Sequence, residues 1–318
     1  GRKKVMAEIV LLGEPMVVFA ANTVGKLEEV ETFTRFLAGA EANVAIGLSR
    51  LEHDTCYVTK LGNDPFGRFI EKKLHSEGVL TQIAYDQNHL TGFYLKSKVV
   101  AADPEVSYFR KNSAASWYGP EDAEWIDLSE TKLVHVTGIM PALSENCLQA
   151  TIRLMKRARE KGITVSFDPN LRPALWKDKE TMISRINELA ELADIVLPGI
   201  GEGRILAGTD EPEKIAEFYQ SKGAKIVAVK AGPKGAYVLR DGSGSFYPGF
   251  RVENVVDTVG AGDAFATGFL SAYLEGLTTA EMAERANALG AMQVCVAGDN
   301  DGLPTRKKLA DFLDQNRK

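Results

Sequence analysis

The stretch VVDTVGAGDAFATGF, residues 255–269, joins a glycine-rich turn to the start of an apolar helix. Gly260 and Gly262 stand two positions apart, and Asp263 follows them directly. Aromatic residues then recur every fourth position, which is the spacing of one helix face, until Gly276 provides a natural stop. The pattern therefore predicts a loop that enters a helix, with one carboxylate at the junction.

This junction suits an anion. The first N–H groups of a helix have no partner inside it, and glycines let bare backbone approach a ligand. A dinucleotide-binding G-x-G-x-x-G motif is excluded by Phe265, and the G-K-[S/T] of a P-loop occurs nowhere in the chain. Two interpretations stay open: a simple turn with Asp263 as a capping residue, or an anion hole with Asp263 as a catalytic base at its mouth.

The bulk composition narrows the class of protein. The chain has 318 residues, 45% of them hydrophobic and 25% charged, which is ordinary for a soluble globular protein. Its net charge of -5 argues against nucleic acid or an acidic membrane as a partner. The N-terminal apolar runs are too short to span a bilayer, and no signal-peptide cleavage pattern follows them. Whether residues 1–5 are native stays open.

Three cysteines lie far apart in the sequence, at Cys56, Cys147 and Cys295. They form no C-x-x-C motif, and their number does not suit a disulfide framework. We therefore expect buried, reduced thiols in a cytoplasmic protein.

From about Leu133 onward, short apolar runs alternate with amphipathic segments. The runs are KLVHVTG, GITVSFDPN, ADIVLPG and AKIVAVKAG, and the predicted helices cover residues 144–161, 178–192 and 211–222. This alternation predicts an α/β fold whose parallel sheet is covered by helices on both faces. Turn-forming residues follow each run, at the sheet edge where open α/β sheets bind ligands.

The N-terminal part is less regular. The spacing of apolar residues predicts helices in AGAEANVAIGLSRL and DPFGRFIEKKLHSEG. Short β-like stretches occur instead in residues of about 14–36 and 90–118. We interpret these stretches as a small sheet inserted into a single domain, residues 1–318, where it would form a lid. Because the edges of such a sheet need covering, we expect a homo-oligomer formed through the lid.

Two motifs carry a resemblance to a known family. DTVGAGDAFATGF resembles the C-terminal signature of the PfkB, or ribokinase-like, carbohydrate kinases, and AGAEANVAIGLSRL with GNDPFGRF resembles their N-terminal signature. The motifs stand in the expected order, and the resemblance covers nearly the whole chain. It implies a ribokinase-like, doubly wound, mostly parallel sheet. It also implies phosphoryl transfer from ATP, with Mg²⁺ bridging the phosphates, to a sugar hydroxyl.

The resemblance gives the opening stretch its roles. Asp263 would accept the proton of the sugar hydroxyl. The N–H groups of Gly260, Ala261 and Gly262 would stabilise charge on the transferred phosphoryl group.

Two arginines bear on the choice of sugar, Arg110 in VSYFRKNSAAS and Arg172 in SFDPNLRPALW. A guanidinium matches a carboxylate through two parallel hydrogen bonds, and a neutral hexose does not require two arginines. Alternatively, Arg110 is a solvated surface residue and Arg172 contacts the ATP phosphates.

The strings YFRKNSAAS, FDPNLRPALW, VHVTGI and GDNDGLPTR resemble the PfkB subfamily that phosphorylates an acid sugar, 2-keto-3-deoxygluconate, which implies transfer to its primary (6-) hydroxyl. A kinase for a neutral ketose such as fructose or tagatose, and a non-catalytic sugar-binding regulator, stay as alternatives. Tyr94 and Tyr108 are equally compatible with packing in the small sheet. The substrate residues implied by the resemblance are Gly39, Ala40, Glu41, Ala42, Asn43, Tyr94, Tyr108, Arg110, Ile139, Arg172, Asp263 and Asp299.

The glycine-rich VKAGPKGAYV would line the nucleotide side, although it also reads as a hairpin turn between Val229 and Tyr237. Asn287, on a helix predicted over 282–296, matches a position near adenine in the subfamily, and is otherwise a packing residue. The ATP-binding residues implied in this way are Asn170, Arg172, Lys230, Gly232, Gly235, Gly260, Gly262 and Asn287.

One departure from the family concerns its Asn-x-x-Glu motif, which is associated with the magnesium–phosphate network. Here Gly199 occupies the asparagine position and Glu202 is retained. We predict no direct metal ligand. Glu202 either acts through water or starts a helix, where a carboxylate is favourable.

Overall fold

The computed structural model describes residues 5–99 and 104–316. Residues 1–4, and residues 100–103 within the predicted lid, lie outside the described ranges. The strands of the described part are β1 Ile9–Leu12, β2 Met16–Val24, β3 Phe33–Ala38, β4 Thr55–Gly62, β5 Leu80–Asp86, β6 Phe93–Lys98, β7 Val106–Phe109, β8 Leu133–Thr137, β9 Thr164–Asp168, β10 Ile195–Val196, β11 Ile226–Lys230, β12 Gly235–Arg240 and β13 Ser243–Pro248.

Helices separate most of these strands, as the alternating pattern predicts. They are α1 Ala40–Arg50, α2 Pro65–Ser76, α3 Pro120–Ala123, α4 Glu145–Glu160, α5 Lys179–Ala190, α6 Ile200–Leu206, α7 Pro212–Ser221, α8 Ala261–Leu274, α9 Thr279–Gln293 and α10 Arg306–Asn316.

The main sheet has nine strands in the order β13-β12-β11-β10-β9-β8-β1-β4-β5. All neighbouring pairs from β11 to β5 are parallel, and β12 and β13 are antiparallel additions at one edge. The carboxyl ends of β1, β8, β9, β10 and β11 therefore meet along one edge of the sheet, beside the start of α8.

Strand β1 shows how the sheet is covered on both faces. Val10 and Leu12 are buried among residues of α4, α5 and α7, whereas Ile9 and Leu11 are buried among residues of α1, α2, α8 and α9. Because side chains alternate along a strand, a continuous apolar run implies burial on both sides. The prediction of a mostly parallel sheet between two helical layers is confirmed.

The smaller sheet has the order β3-β2-β6-β7. One face, with Val17, Phe19 and Phe93, joins the core formed by α1 and α2, and the other face presents Val18 and Tyr94. Its strands fall within the two predicted segments, except that β3 continues to Ala38. Residues 114–118 leave the small sheet and pack against the main one. The predicted small separate sheet is thus confirmed, and its action as a lid stays a prediction.

Two predictions about single segments were wrong. The helix predicted over 282–296 begins three residues earlier, because Thr278 and Glu281 form a capping box. Cys56 and Cys147 are buried free thiols, as predicted, but Cys295 is exposed, since it lies just beyond the end of α9.

No helix in ranges 5–99 and 104–316 has the length and apolar character needed to cross a membrane.

Candidate active site

The turn before α8 depends on Gly260. This residue has φ 77° and ψ -5°, a left-handed conformation that favours glycine. A Cβ added to Gly260 would lie 2.2 Å from the backbone oxygen of Asp299. The N–H groups of Gly260 and Gly262 have no hydrogen-bond partner among the described residues, whereas the N–H of Ala261 donates to Thr258 O at 3.3 Å. Two unpaired donors thus lie at the positive end of the α8 dipole.

Asp263 is the third residue of α8, and it does not cap the helix. Asn43 Nδ2, on α1, donates to Asp263 Oδ2 at 2.8 Å. Asn170, which follows β9, has its Nδ2 3.5 Å from Asp263 Oδ1. The carboxylate therefore lies between the start of α1 and the end of β9, which favours its interpretation as a functional group rather than a capping residue.

Burial raises the pKa of Asp263 to about 7. The hydrogen bond from Asn43 lowers this pKa, the charge of Asp168 raises it, and the charge of Lys230 lowers it. A carboxylate with a pKa near neutrality is ionised in a large fraction of molecules at physiological pH, and it is also basic enough to accept a proton.

A cavity of about 230 Å³ adjoins Asp263 and the unpaired N–H groups. Lys230, at the end of β11, contributes an ammonium whose Nζ lies 2.6 Å from Asp168 Oδ2, at the end of β9. Burial lowers the pKa of Lys230, but the neighbouring Asp168 and Glu202 outweigh it, so the net pKa is raised and Lys230 is charged. Arg172 lines the same cavity and is exposed. This polar cavity is suited to a phosphate group.

Glu202 lies in this cavity as a capping residue of α6. Its Oε2 accepts from the N–H of Gly199 at 2.8 Å, and its Oε1 accepts from the N–H of Leu171 at 2.9 Å. Burial raises the pKa of Glu202, and Lys230 lowers it. Of the two open interpretations, the helix-start role is thus seen directly, and an additional role through water stays a prediction.

A second cavity, of about 630 Å³, lies on the far side of the α8 turn. Gly232, Gly235 and Asn287 line it, together with Lys230. The glycines flank the predicted hairpin turn between β11 and β12. Gly235 has φ 116°, and an added Cβ would lie 2.1 Å from Tyr247 O, so the close turn requires glycine.

The side chain of Asn287 is held at the wall of this second cavity. Its Nδ2 donates to Tyr247 O at 3.2 Å and to Pro248 O at 3.1 Å. Asn287 therefore has the predicted packing role, and its position at the wall is compatible with a role beside the nucleotide.

Arg110, which directly follows β7, is buried and not solvated. Its Nε donates to Glu14 Oε2 at 2.9 Å, and its Nη2 also contacts Glu14. Ser113 Oγ donates to the other oxygen of Glu14 at 2.5 Å. The guanidinium carbon lies 5.6 Å from the ring centre of Tyr108, which is half-exposed. Arg110 is thereby fixed in orientation beside the small sheet.

Tyr94 is buried on the same face of the small sheet. Its hydroxyl donates to Asp299 Oδ2 at 3.3 Å, and its ring centre lies 5.1 Å from that of Tyr108. Burial raises the pKa of Asp299, and the charge of Lys96 lowers it. The two tyrosines pack together, as one interpretation predicts, and the hydroxyl of Tyr94 links them to Asp299.

The start of α1 provides the remaining predicted substrate residues. Gly39 has φ 131°, and an added Cβ would lie 3.0 Å from Glu14 O. Glu41 is fully buried and its Oε1 accepts from Thr137 Oγ1, which in turn accepts from the N–H of Ile139. Ala40 and Ala42 are also buried. Glu41 therefore orients the hydroxyl of Thr137, which in turn holds the backbone at Ile139.

Burial raises the pKa of Glu41 to about 7, and the hydrogen bond from Thr137 lowers it. Glu41 Oε2 and the hydroxyl of Tyr57 are buried without hydrogen-bond partners among the described residues. Both oxygens lie close to Gly13, where an added Cβ would be 2.5 Å from Glu41 Oε2 and 2.7 Å from Tyr57 Oη.

The two predicted arginines are held by different partners, and their convergence on one carboxylate stays a prediction. Arg110 contacts Glu14, just after β1, whereas Arg172 follows β9, two strands away in the sheet. Arg172 Nη1 donates to Leu171 O at 2.9 Å and faces the cavity with Lys230. Of the two interpretations of Arg172, its placement favours the phosphate side.

Sequence reasoning missed three residues that hold this site. Asp168 pairs with Lys230, Glu14 pairs with Arg110, and Asn300 Nδ2 donates to Asn43 Oδ1 at 3.0 Å. Asp168 had a usable signal, because a charged residue at the end of a buried strand faces the ligand edge. Glu14 and Asn300 had none, since their partners are 96 and 257 positions away.

The described residues contain no group of three or more His, Cys, Asp or Glu side chains arranged to hold a metal ion. The cavity does offer the carboxylates of Asp168 and Asp263. Magnesium is commonly bound by one or two carboxylates together with substrate phosphates and water. The residues therefore fit an ion that arrives with a phosphate ligand, and do not form a complete protein cage.

Comparisons with known proteins agree with this geometry. Residues 6–306 match the pfkB family of carbohydrate kinases. The 2-dehydro-3-deoxygluconokinase of Bacillus subtilis (strain 168) is 49% identical over 312 residues, which cover 98% of this chain and 96% of that protein. Fructokinase-1 of Zea mays is 32% identical over 320 residues, which cover 96% of this chain and 98% of that protein.

A solved structure extends the likeness to three dimensions. The PfkB protein from Polaromonas sp. JS666 superimposes with a TM-score of 0.88 at 42% sequence identity, and the match covers 96% of this chain and 99% of that one. Fold, site geometry and sequence lead to the same conclusion: the chain belongs to the PfkB family of carbohydrate kinases.

Proposed function

We propose that this kinase transfers the γ-phosphoryl group of ATP to the primary hydroxyl of 2-keto-3-deoxygluconate, also named 2-dehydro-3-deoxygluconate. The observation that carries the proposal is the position of Asp263. Its carboxylate adjoins a polar cavity with Lys230 and accepts from Asn43 on α1, the helix whose Glu41 feels the charge of the buried Arg110.

Asp263 acts as the general base for the sugar hydroxyl. Its ionised form is maintained by the Asn43 hydrogen bond and by the charge of Lys230. The free N–H groups of Gly260 and Gly262 face the position where the transferred phosphoryl group gains negative charge. Proton acceptance and charge stabilisation thus come from one turn of the chain.

The ATP is proposed to occupy the 630 Å³ cavity, with its phosphates directed into the 230 Å³ cavity. Lys230 and Gly262 line both cavities, so the two cavities are continuous at the α8 turn. Magnesium, when bound with the ATP, would neutralise phosphate charge. Within the protein, Lys230 and Arg172 supply the positive charge on this side.

The acid sugar is favoured by Arg110 and by the comparisons. Nε and Nη2 of Arg110 contact Glu14, whereas Nη1 has no partner among the described residues and stays available for a carboxylate. Glu14 and Ser113 hold the guanidinium in place before the sugar arrives. The relative at 49% identity is named for the acid sugar, and the fructokinase is more distant at 32%.

The test is an ADP-release assay with 2-keto-3-deoxygluconate, fructose and tagatose as acceptors. We expect the highest kcat/KM with the acid sugar. We also expect Arg110→Lys to raise KM for it by about tenfold or more, because a single ammonium cannot replace two nitrogens on Glu14 and a third on the sugar carboxylate. Higher kcat/KM with fructose than with the acid sugar would contradict the proposed substrate.

We also propose a homo-oligomer formed through the small sheet. Its outer strands expose Phe36, Tyr108 and Phe109 by about half, and β3 and β7 are unpaired edges in the described chain. Sedimentation of wild type and Phe109→Glu tests this, and a monomer in both contradicts it. The free thiols of Cys56, Cys147 and Cys295 support the further proposal of a reducing, cytoplasmic location.

A further inference from the structure

The loop of residues 298–303, between α9 and α10, is held from α1. Arg50 Nη1 donates to the backbone oxygens of Asn300 and Leu303, both at 2.9 Å. Arg50 is itself fixed by Glu77, which accepts from its Nε and Nη2 at 2.9 Å each. A bidentate pair of this kind restricts the guanidinium to one orientation, so the loop backbone is tied to a rigid helix.

A second side chain holds the same loop from the opposite side. Gln293 is fully buried, its Nε2 donates to Gly298 O at 2.7 Å, and its Oε1 accepts from the N–H of Gly302 at 3.1 Å. The loop is therefore fixed at both of its ends and in its middle, and the side chain of Asn300 projects from a defined position.

This side chain determines which way the amide of Asn43 faces. Asn300 Nδ2 donates to Asn43 Oδ1 at 3.0 Å, and Asn43 Nδ2 donates to Asp263 Oδ2 at 2.8 Å. A primary amide has one donor end and one acceptor end. While a donor from Asn300 occupies the acceptor end, the donor end of Asn43 is directed at the carboxylate.

We propose that Asn300 is a positioning residue for the catalytic base, acting through the amide orientation of Asn43. Asn300 itself does not contact Asp263. Without its N–H donor, the Asn43 amide is free to turn its oxygen toward the carboxylate, which replaces an attractive contact by a repulsive one. The inference deepens the proposed function and rests on it for the role of Asp263 as the base.

Several charged groups face Asp263 from other elements, and Asn300→Leu changes the charge of none of them. Glu41 on α1 and Asp168 on β9 raise its pKa, and Lys230 on β11 lowers it. Others share the cavity or neighbour the Asn300 loop: Arg172, Glu202, Asp299 and Asp301. A shift caused by Asn300→Leu is therefore separable from these fixed contributions.

The experiment compares Asn300→Leu, which removes the donor at similar size, with Asn300→Asp, which presents an acceptor to Asn43. In a plot of kcat against pH, activity falls on the acidic side as the base is protonated. We expect this acidic limb to move to higher pH, by about one unit for the aspartate variant and less for the leucine variant. At pH 6 the aspartate variant should then be about tenfold slower than wild type, and nearly equal at pH 9.

Two controls separate orientation from other effects. Asp301→Asn changes the charge of the same loop without touching Asn43, and should give a small shift of the opposite sign. In an Asn43→Ala background, Asn300→Leu should cause no further shift. Should the larger replacements prevent folding, Asn300→Ser keeps a hydroxyl donor and should move the limb less than leucine does.

The pKa of Asp263 is also measured directly by NMR titration of ¹³C-labelled aspartate carboxyls, assigned with Asp263→Asn. This readout needs no sugar, so it tests Asn300 even if the acid sugar is not the substrate. An unmoved pKa in both Asn300 variants overturns the proposal. So does a shift by Asn300→Leu that is equally large in the Asn43→Ala background, because Asn300 would then act independently of Asn43.

Discussion

Lys230 and Asp168 form a direct ion pair, with Nζ 2.6 Å from Oδ2, across the end of the two-residue strand β10. The pair joins β11 to β9 at the sheet edge and is largely shielded from water. Lys230 therefore has two roles in one position: it neutralises a buried carboxylate, and it supplies positive charge to the cavity beside Asp263.

Replacing Lys230 separates these roles. Lys230→Met leaves Asp168 without its partner, so we expect lower stability and a kcat reduced by about 10²-fold or more. The double variant Lys230→Met with Asp168→Asn should recover the melting temperature but not kcat. Recovery of kcat in the double variant would contradict a role of the ammonium in phosphoryl transfer.

Asp263→Asn removes the proposed base. We expect kcat to fall by about 10³-fold, since general base catalysis typically contributes 10²- to 10⁴-fold, while ATP binding is retained. Steady-state kinetics and calorimetric titration with ATP measure the two effects. Unchanged phosphorylation by this variant would rule out Asp263 as the base and would favour the regulator alternative.

The same variant has a pH-dependent effect on stability. Because the folded-state pKa of Asp263 is raised to about 7, the folded protein binds this proton more tightly than the unfolded chain. The protonated Asp263 therefore contributes to the free energy of unfolding of the wild type at low pH, and this contribution is lost as the pH rises toward 7. Asp263→Asn cannot ionise, so its melting temperature relative to wild type should increase from pH 5 to pH 8.

Glu41→Gln tests the buried carboxyl behind the sugar side. The pKa of Glu41 is raised to about 7, and its charge raises the pKa of Asp263. The glutamine variant should thus move the acidic limb of the plot of kcat against pH to lower pH. Its free energy of unfolding should exceed that of the wild type above pH 7, because no buried charge forms at position 41. Thr137→Val is a companion variant, because it keeps the carboxyl group and removes the hydrogen bond that lowers the pKa of Glu41. A limb that stays in place in Glu41→Gln contradicts the coupling.

The two glycines of the α8 turn should respond differently to alanine. Gly260→Ala meets the backbone oxygen of Asp299 at 2.2 Å in a left-handed conformation, so we expect a loss of about 2 kcal/mol or more in unfolding free energy. Gly262→Ala has only Lys230 Nζ at 3.7 Å and should unfold as wild type does. Denaturant unfolding of both variants decides this, and equal stability would contradict the difference.

The elements that sequence predicts well are those with a local pattern. Strands β8, β9 and β11 read as apolar runs because a parallel strand is buried on both faces, and the glycines at 260 and 262 mark a turn wherever they occur. The position of Asp263 at the sheet edge follows from these two facts.

Side-chain pairs between distant segments were not predictable in this way. Glu14 pairs with Arg110 across 96 positions, and Asn43 with Asn300 across 257. No property of either segment alone distinguishes a buried pair from a solvated residue, which is why Arg110 was also compatible with a surface position.

The contact between Gly260 and the backbone of Asp299 makes the loop of residues 298–303, which follows α9, a wall of the reaction centre. A polypeptide cut between Cys295 and Ala297, both exposed, would leave the base on one fragment and that loop, with α10, on the other. Phosphoryl transfer would then report fragment reassembly, so the kinase lends itself to a split-enzyme sensor whose signal is ADP release.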